Sequence, residues 1–254
     1  MGSFQNSSSS STSARLDAAC LPPRSFRPPT SLDWSTQGLV SPVRHQYQCA
    51  SCWAFAVTAA LESAYLRYHK RRLDLSEQQL VDCSSSSWEG GESGSECQTG
   101  TAYTALRYIY LSGLALESSW PYRAQWQGCP VPKPKWAAAL RSFCVRGLTN
   151  YGSSSFTSWE RLSEAEMERA VAHFGPVTVC LNSDRLQHYK GGVFNADDCP
   201  LKLTHMVLLV GYTADAWILK NSWGTKWGER GGYFRLARGS NVCNVNYEIT
   251  YPRV

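Results

Sequence analysis

Cys49 and Cys52 stand close together in Gln46-Tyr47-Gln48-Cys49-Ala50-Ser51-Cys52-Trp53-Ala54-Phe55. A Cys-x-x-Cys pair can be half of a zinc site, a redox dithiol, or a structural pair. No second close cysteine or histidine pair follows to complete a zinc site, and the βαβ pattern of a redox-dithiol domain is missing. Position adds a further chemistry. Cys52 opens the run WAFAVTAALESAYLRYHKRR (53–72), whose apolar residues recur at three- and four-residue spacing, as in an amphipathic helix. The run closes on His69, Lys70, Arg71 and Arg72, cations that suit a helix C-terminus. A thiol at the opposite end faces unpaired backbone N–H groups and the positive end of the macrodipole, which favour the nucleophilic thiolate. On this stretch alone, structural pair and nucleophile both stay open.

Far down the chain lies a second chemically suggestive block. His205 sits in Leu203-Thr204-His205-Met206-Val207-Leu208-Leu209-Val210-Gly211-Tyr212, and Asn221 in Lys220-Asn221-Ser222-Trp223-Gly224-Thr225-Lys226-Trp227-Gly228-Glu229. Together with Gln46 and Cys52-Trp53, these residues resemble the papain and cathepsin family of cysteine proteases, from about Pro28 to Val254. The family's local signature is C-G-[SA]-C-[WY]; this chain reads C-A-S-C-W, with Ala50 in place of glycine. His205 and Asn221 follow Cys52 by 153 and 169 residues, beyond the family's usual ~130–150, so loops are inserted between the halves.

The resemblance implies a cysteine endopeptidase that needs no cofactor and no metal. Cys52 would attack the scissile carbonyl as a thiolate, and His205 would hold and return the proton. Asn221 would orient the imidazole, and Trp223 would shield that hydrogen bond from water. Gln46 would donate its amide to the oxyanion together with the Cys52 backbone N–H. His45, His69, His173 and His188 read as surface or structural. The implied partners are polypeptide substrates and cystatin-like or propeptide-type inhibitors, met by a monomer.

A helical first half followed by a strand-rich second half agrees with the fold the resemblance implies, an α+β, papain-like two-lobed one. A helical left lobe and a β-barrel-like right lobe would flank the active-site cleft. Residues 1–27 read as a tail, either disordered or a remnant of an expression tag, 28–134 as the helical lobe and 135–254 as the β-rich lobe. No long helical prosegment is read at the start, as in a mature-like fragment or an atypical form. Ser76 with Gln79, and Ser163 with Glu166, have capping-box spacing. A further helix is predicted over 101–111. Strands are predicted over 177–181, 206–212, 217–219, 233–236 and 247–251. Residues 84–96 form a polar Ser/Gly loop, and Pro130 to Pro134 a linker.

Ten cysteines point to an oxidising compartment: lysosomal, vacuolar or secreted. The resemblance implies the bridges Cys49–Cys97, Cys83–Cys129 and Cys199–Cys243, with Cys52 free. Cys20, Cys144 and Cys180 find no family partner; Cys180 reads as a small buried apolar residue, and a Cys20–Cys144 bridge is the less favoured alternative for the other two. The net charge of +5 is scattered, which argues against a nucleic-acid partner, and no apolar run approaches membrane-spanning length.

The pocket for the residue two before the cut, P2, is implied by resemblance to be walled by Ala102, Cys180, Leu203 and Met206. Gly100 would bond the substrate backbone. Glu248, five residues past Cys243, matches a glutamate of cathepsin B and would accept an arginine; the alternative has it facing solvent. The 84–96 insertion lacks the paired histidines with which cathepsin B blocks its cleft, so an endopeptidase is favoured. Two rival classes are a catalytically silent homologue acting as a binding protein, and a disulfide-rich adhesive domain with a chance motif.

Overall fold

The computed structural model describes residues 20–84, 97, 99–130, 135–147, 161–196 and 198–254. The helix that Cys52 opens runs Cys52–His69 and ends at Lys70, whose left-handed backbone (φ 56°) returns its N–H to the Tyr65 carbonyl. It is not amphipathic over most of its length, because every residue from Trp53 to Tyr65 is buried. The reason is its central place. Trp53, Val57 and Leu61 pack into one apolar core with Leu75, Leu80, Leu106 and Ile109. On the opposite side, Ala59 and Ala60 meet Leu208, Val210 and Ile218 of the sheet. Alanines there let sheet and helix approach closely, so only the last turns keep a polar face.

Among the described residues, two further α-helices pack against it and a third packs on the sheet. Glu77–Cys83 starts at Ser76, whose side chain accepts the Gln79 N–H at 3.0 Å. The expected reciprocal bond is absent: the Gln79 amide donates to Tyr108 Oη and the Gly113 carbonyl, and its oxygen accepts the Ala115 N–H. The glutamine thus braces a neighbouring loop instead of its own cap. Ala102–Ser112 carries a reciprocal Thr101–Thr104 box. Glu164–Phe174 carries the expected Ser163–Glu166 box and stops at Gly175, φ 102°.

The strands are β1 (Leu32–Asp33), β2 (Ser142–Arg146), β3 (Val177–Leu181), β4 (Val193–Phe194), β5 (His205–Tyr212), β6 (Ala216–Lys220), β7 (Tyr233–Ala237) and β8 (Ile249–Arg253). They form one sheet in the order β2-β8-β3-β5-β6-β7-β4, with β1 also on β5. All pairings are antiparallel except β4 with β7. β8 begins later than predicted because left-handed Asn241, Cys243 and Asn244 coil the chain just before it. The division at residue 134 is crossed in both directions. β1 joins the sheet, whereas Leu140 and Val254 pack on the helical core.

The tail expected through residue 27 is instead fastened from Cys20 onward. Cys20 bridges Cys144 with a Cα–Cα distance of 5.6 Å, the less favoured of the alternatives that their lack of a family partner leaves open. Tyr251 Oη donates to the Cys20 carbonyl, and Arg169 donates to the carbonyls of Pro23 and Phe26. Cys144 lies on β2, which sequence patterning did not reveal, so its nearness to Cys20 was not legible. The other three bridges pair as expected, and Cys52 and Cys180 are free. The expectations for residues 1–19, 85–96 and 131–134 lie outside the described residues.

Candidate active site

Cys52 occupies the first position of its helix, where the Ser51 carbonyl already accepts the Ala54 N–H at 2.9 Å. Burial pushes the Cys52 thiol up, and the backbone N–H groups of Met206, Trp53 and Cys52 itself pull the other way. Cys52 packs against the apolar cluster that holds Met206, the residue after His205 at the start of β5.

His205 is buried, and its Nε2 lies 2.8 Å from Asn221 Oδ1. That oxygen can only accept, so Nε2 carries the proton and Nδ1 is left as the basic nitrogen. The same Oδ1 accepts the Ser222 N–H at 2.8 Å, which fixes the amide orientation. Burial lowers the imidazole to about 4, opposed by the Asn221 bond. Trp223 lies over the imidazole, centroids 4.8 Å apart and planes tilted 32°, with Trp227 edge-on behind it at 4.9 Å. β5 and β6 are neighbouring strands, which carries His205 and Asn221 to one end of the sheet.

Gln46 is buried and held at both ends. Its Nε2 donates to the Cys49 carbonyl at 2.8 Å, its Oε1 accepts from Ser222 Oγ at 2.6 Å, and its backbone N–H reaches the Ser222 carbonyl at 2.8 Å. One of the two amide protons is therefore engaged, and one remains for a ligand.

A family description reading "Papain family cysteine protease" matches residues 28–253. The chain belongs to the papain family of cysteine proteases. It is 37% identical over 249 residues to cathepsin L of Sarcophaga peregrina, covering 94% of this chain and 68% of the relative. An aleurain-like thiol protease of Arabidopsis thaliana is 37% identical over 235 residues, 89% of this chain and 60% of the relative. Among solved structures, digestive procathepsin L 3 of Tenebrio molitor larval midgut superposes with a TM-score of 0.77 at 34% identity, covering 91% of this chain and 72% of that one. A Carica candamarcensis cysteine protease in complex with E-64 gives 0.73 at 33%, covering 89% and 98%. The two-lobed α+β papain-like fold is thereby established for this chain.

The implied pocket residues of this papain-family chain also come together. Ala102, Cys180, Leu203 and Met206 belong to one apolar cluster, with Cys52 against it. Gly100 lies so close to the Trp53 indole that a Cβ would meet its Cε2 at 2.5 Å. Glu248 is 3% exposed, which overturns the solvent-facing alternative. Its Oε2 accepts the Cys180 S–H at 3.1 Å. Cys180 is thus buried as expected, yet it acts as a polar partner as well as an apolar wall.

Two features escaped sequence reasoning. Tyr122 and Ser222 both bond Gln46, and no periodicity or motif around Trp120-Pro121-Tyr122 marks that role. Arg44, Glu62, Glu77 and Lys220 line one pocket together with Asn221 and Ser222. The charges that form it are scattered over 176 positions of sequence, so no local run of charge reveals it.

Proposed function

We propose that this chain is a cysteine endopeptidase working through Cys52 and His205. The observation that carries the proposal is the Nε2–Asn221 bond, which leaves Nδ1 basic and the imidazole held in place. Burial penalises a lone thiolate and a lone imidazolium alike. Moving the proton from Cys52 Sγ to His205 Nδ1 creates the two opposite charges together, at a helix N-terminus. Their mutual attraction offsets that desolvation. The thiolate then adds to the peptide carbonyl. The new oxyanion takes the second Gln46 amide proton and the Cys52 N–H. Collapse expels the amine, which takes the proton from His205, and leaves an acyl-enzyme thioester. Water, deprotonated by His205, cleaves the thioester and regenerates the thiol.

At P2 the pocket suits Leu and Phe through its apolar walls, and Arg through Glu248. Substrates are polypeptides. Propeptide-type or cystatin-like inhibitors would occupy the same cleft, a reading supported by relatives solved as procathepsins. Disulfides favour a lysosomal, vacuolar or secreted setting. The test is a fluorogenic dipeptide assay on wild type and Cys52→Ala. Turnover lost in the variant, with its circular dichroism unchanged, is the expected result. Normal turnover in Cys52→Ala, or none in a folded wild type, would sink the proposal; the latter outcome would instead favour a silent homologue.

A further inference from the structure

We propose that Tyr122 is a positioning residue, tying the oxyanion donor Gln46 to the start of the nucleophile's helix. The inference rests on the roles given above to Cys52 and Gln46. Tyr122 Oη donates to the Gln46 backbone carbonyl at 2.9 Å and lies 2.7 Å from Ser51 Oγ. A phenol has one proton, and it is spent on Gln46, so Ser51 must be the donor in the second bond. The Ser51 hydroxyl has a competing acceptor in the Cys49 carbonyl, but at a longer 3.5 Å. The order is therefore Ser51 O–H to Tyr122 O–H to Gln46 C=O. Burial pushes the Tyr122 phenol up to about 12, so this donor keeps its proton at any working pH.

The two ends of the relay are the parts whose relative placement decides oxyanion stabilisation. Ser51 directly precedes Cys52, and its carbonyl starts the helix hydrogen bonding. Gln46 directly precedes Tyr47, a left-handed residue (φ 53°) that is 65% exposed. A non-glycine residue held there is strained, so an anchor on the preceding carbonyl helps to hold its direction. Tyr122 provides one from outside the Gln46–Cys52 loop. Its ring packs edge-on against Phe55, one turn along the same helix, at 4.8 Å and 85°. Its backbone N–H is fixed by Glu117 Oε1 at 2.8 Å. One phenol thus spans from nucleophile helix to oxyanion donor, where displacement by a fraction of an ångström matters.

Tyr122→Phe keeps the ring packing and removes the relay. We expect kcat on a peptide amide to fall about tenfold, below the ~100-fold or more seen when an oxyanion donor is deleted outright. KM should stay within about twofold. A peptide aldehyde, whose bound adduct carries the same oxyanion, should weaken by the same factor as kcat. Alkylation of Cys52 by iodoacetamide forms no oxyanion, and its rate should hold within about twofold. Ser51→Ala should reproduce this pattern, and the double variant should lose no more than either alone. The inference is overturned if kcat is unchanged, if alkylation slows in step with kcat, or if the two losses multiply. If Tyr122→Phe does not fold, the same criteria applied to Ser51→Ala decide. A folded wild type that turns over no peptide removes the underlying reading; a normal wild type with an equally active Tyr122→Phe removes only the positioning role.

Discussion

Glu77→Gln should abolish a loss of stability that the wild-type chain undergoes as pH rises from about 4.5 to 8. Glu77 is 2% exposed, at the start of its helix. Arg44 lies 2.8 Å from Glu77, 3.6 Å from Glu62 and 3.9 Å from Glu117, and also pairs with exposed Asp74. Lys220, bonded to Ser41 Oγ at 3.2 Å, lines the same pocket. Burial raises Glu77 from 4.5 to about 8; Arg44 opposes this, and Glu62 and Glu117 add to it. The folded chain therefore binds this proton more tightly than the unfolded chain. Its contribution is complete below about pH 4.5 and is lost as pH climbs to about 8. Burial lowers Lys220 from 10.5 to about 8, so its opposite slope falls above that window and does not cancel the effect. The interval from 4.5 to about 8, at about 1.4 kcal/mol per pH unit, sets a ceiling near 5 kcal/mol, and sharing of the proton within the cluster brings the expectation to about 2–3 kcal/mol. The assay is urea unfolding followed by tryptophan fluorescence at pH 5, 6, 7 and 8, in a Cys52→Ala background to prevent self-digestion. Glutamine mimics the protonated carboxyl, so the two proteins should be nearly equal at pH 5, with the variant the more stable at pH 8. A constant difference across that range would refute the reasoning.

Glu248→Ala should cut kcat/KM for an Arg-P2 substrate by about 1–3 kcal/mol while leaving a matched Phe-P2 substrate within twofold; equal losses on both would remove Glu248 from specificity. Asn221→Ala should retain measurable activity, because the residue orients the imidazole and does not react, with the loss read in kcat. Gly100→Ala should raise KM and lower the melting temperature, since the new methyl meets the Trp53 ring; unchanged kinetics would mean the loop yields freely. Mass mapping of a non-reduced digest should find Cys20–Cys144 beside the other three bridges, and Cys20→Ser with Cys144→Ser should lose about 2–4 kcal/mol of stability with activity retained.

The elements that carry the site were legible where neighbours in sequence are also neighbours in space, and the roles of its residues came from the resemblance of their motifs. Cys52 starts a helix that its own following residues specify, and His205 and Asn221 sit at the ends of apolar runs that read as strands and are strands. The Ser163–Glu166 cap is likewise a property of four consecutive residues. Where a side chain had a choice of distant partners, sequence could not decide. Gln79 has the spacing to close its own cap, yet bonds Gly113 and Ala115, because burial between two helices makes those groups the ones needing a partner. Cys180 reads as a small apolar residue, and only the pairing of β3 beside β8 brings Glu248 within reach of its thiol. β2 is defined by its register with β8, more than a hundred residues away, and with it the Cys20–Cys144 bridge. Tyr122 meets Gln46 and Ser51 across 76 and 71 residues of chain. Local propensity thus placed the elements that carry the reactive groups, and the resemblance of the motifs to the papain family implied their roles. Which polar atom satisfies which was left to the tertiary structure, because desolvation acts on groups brought together from anywhere in the chain.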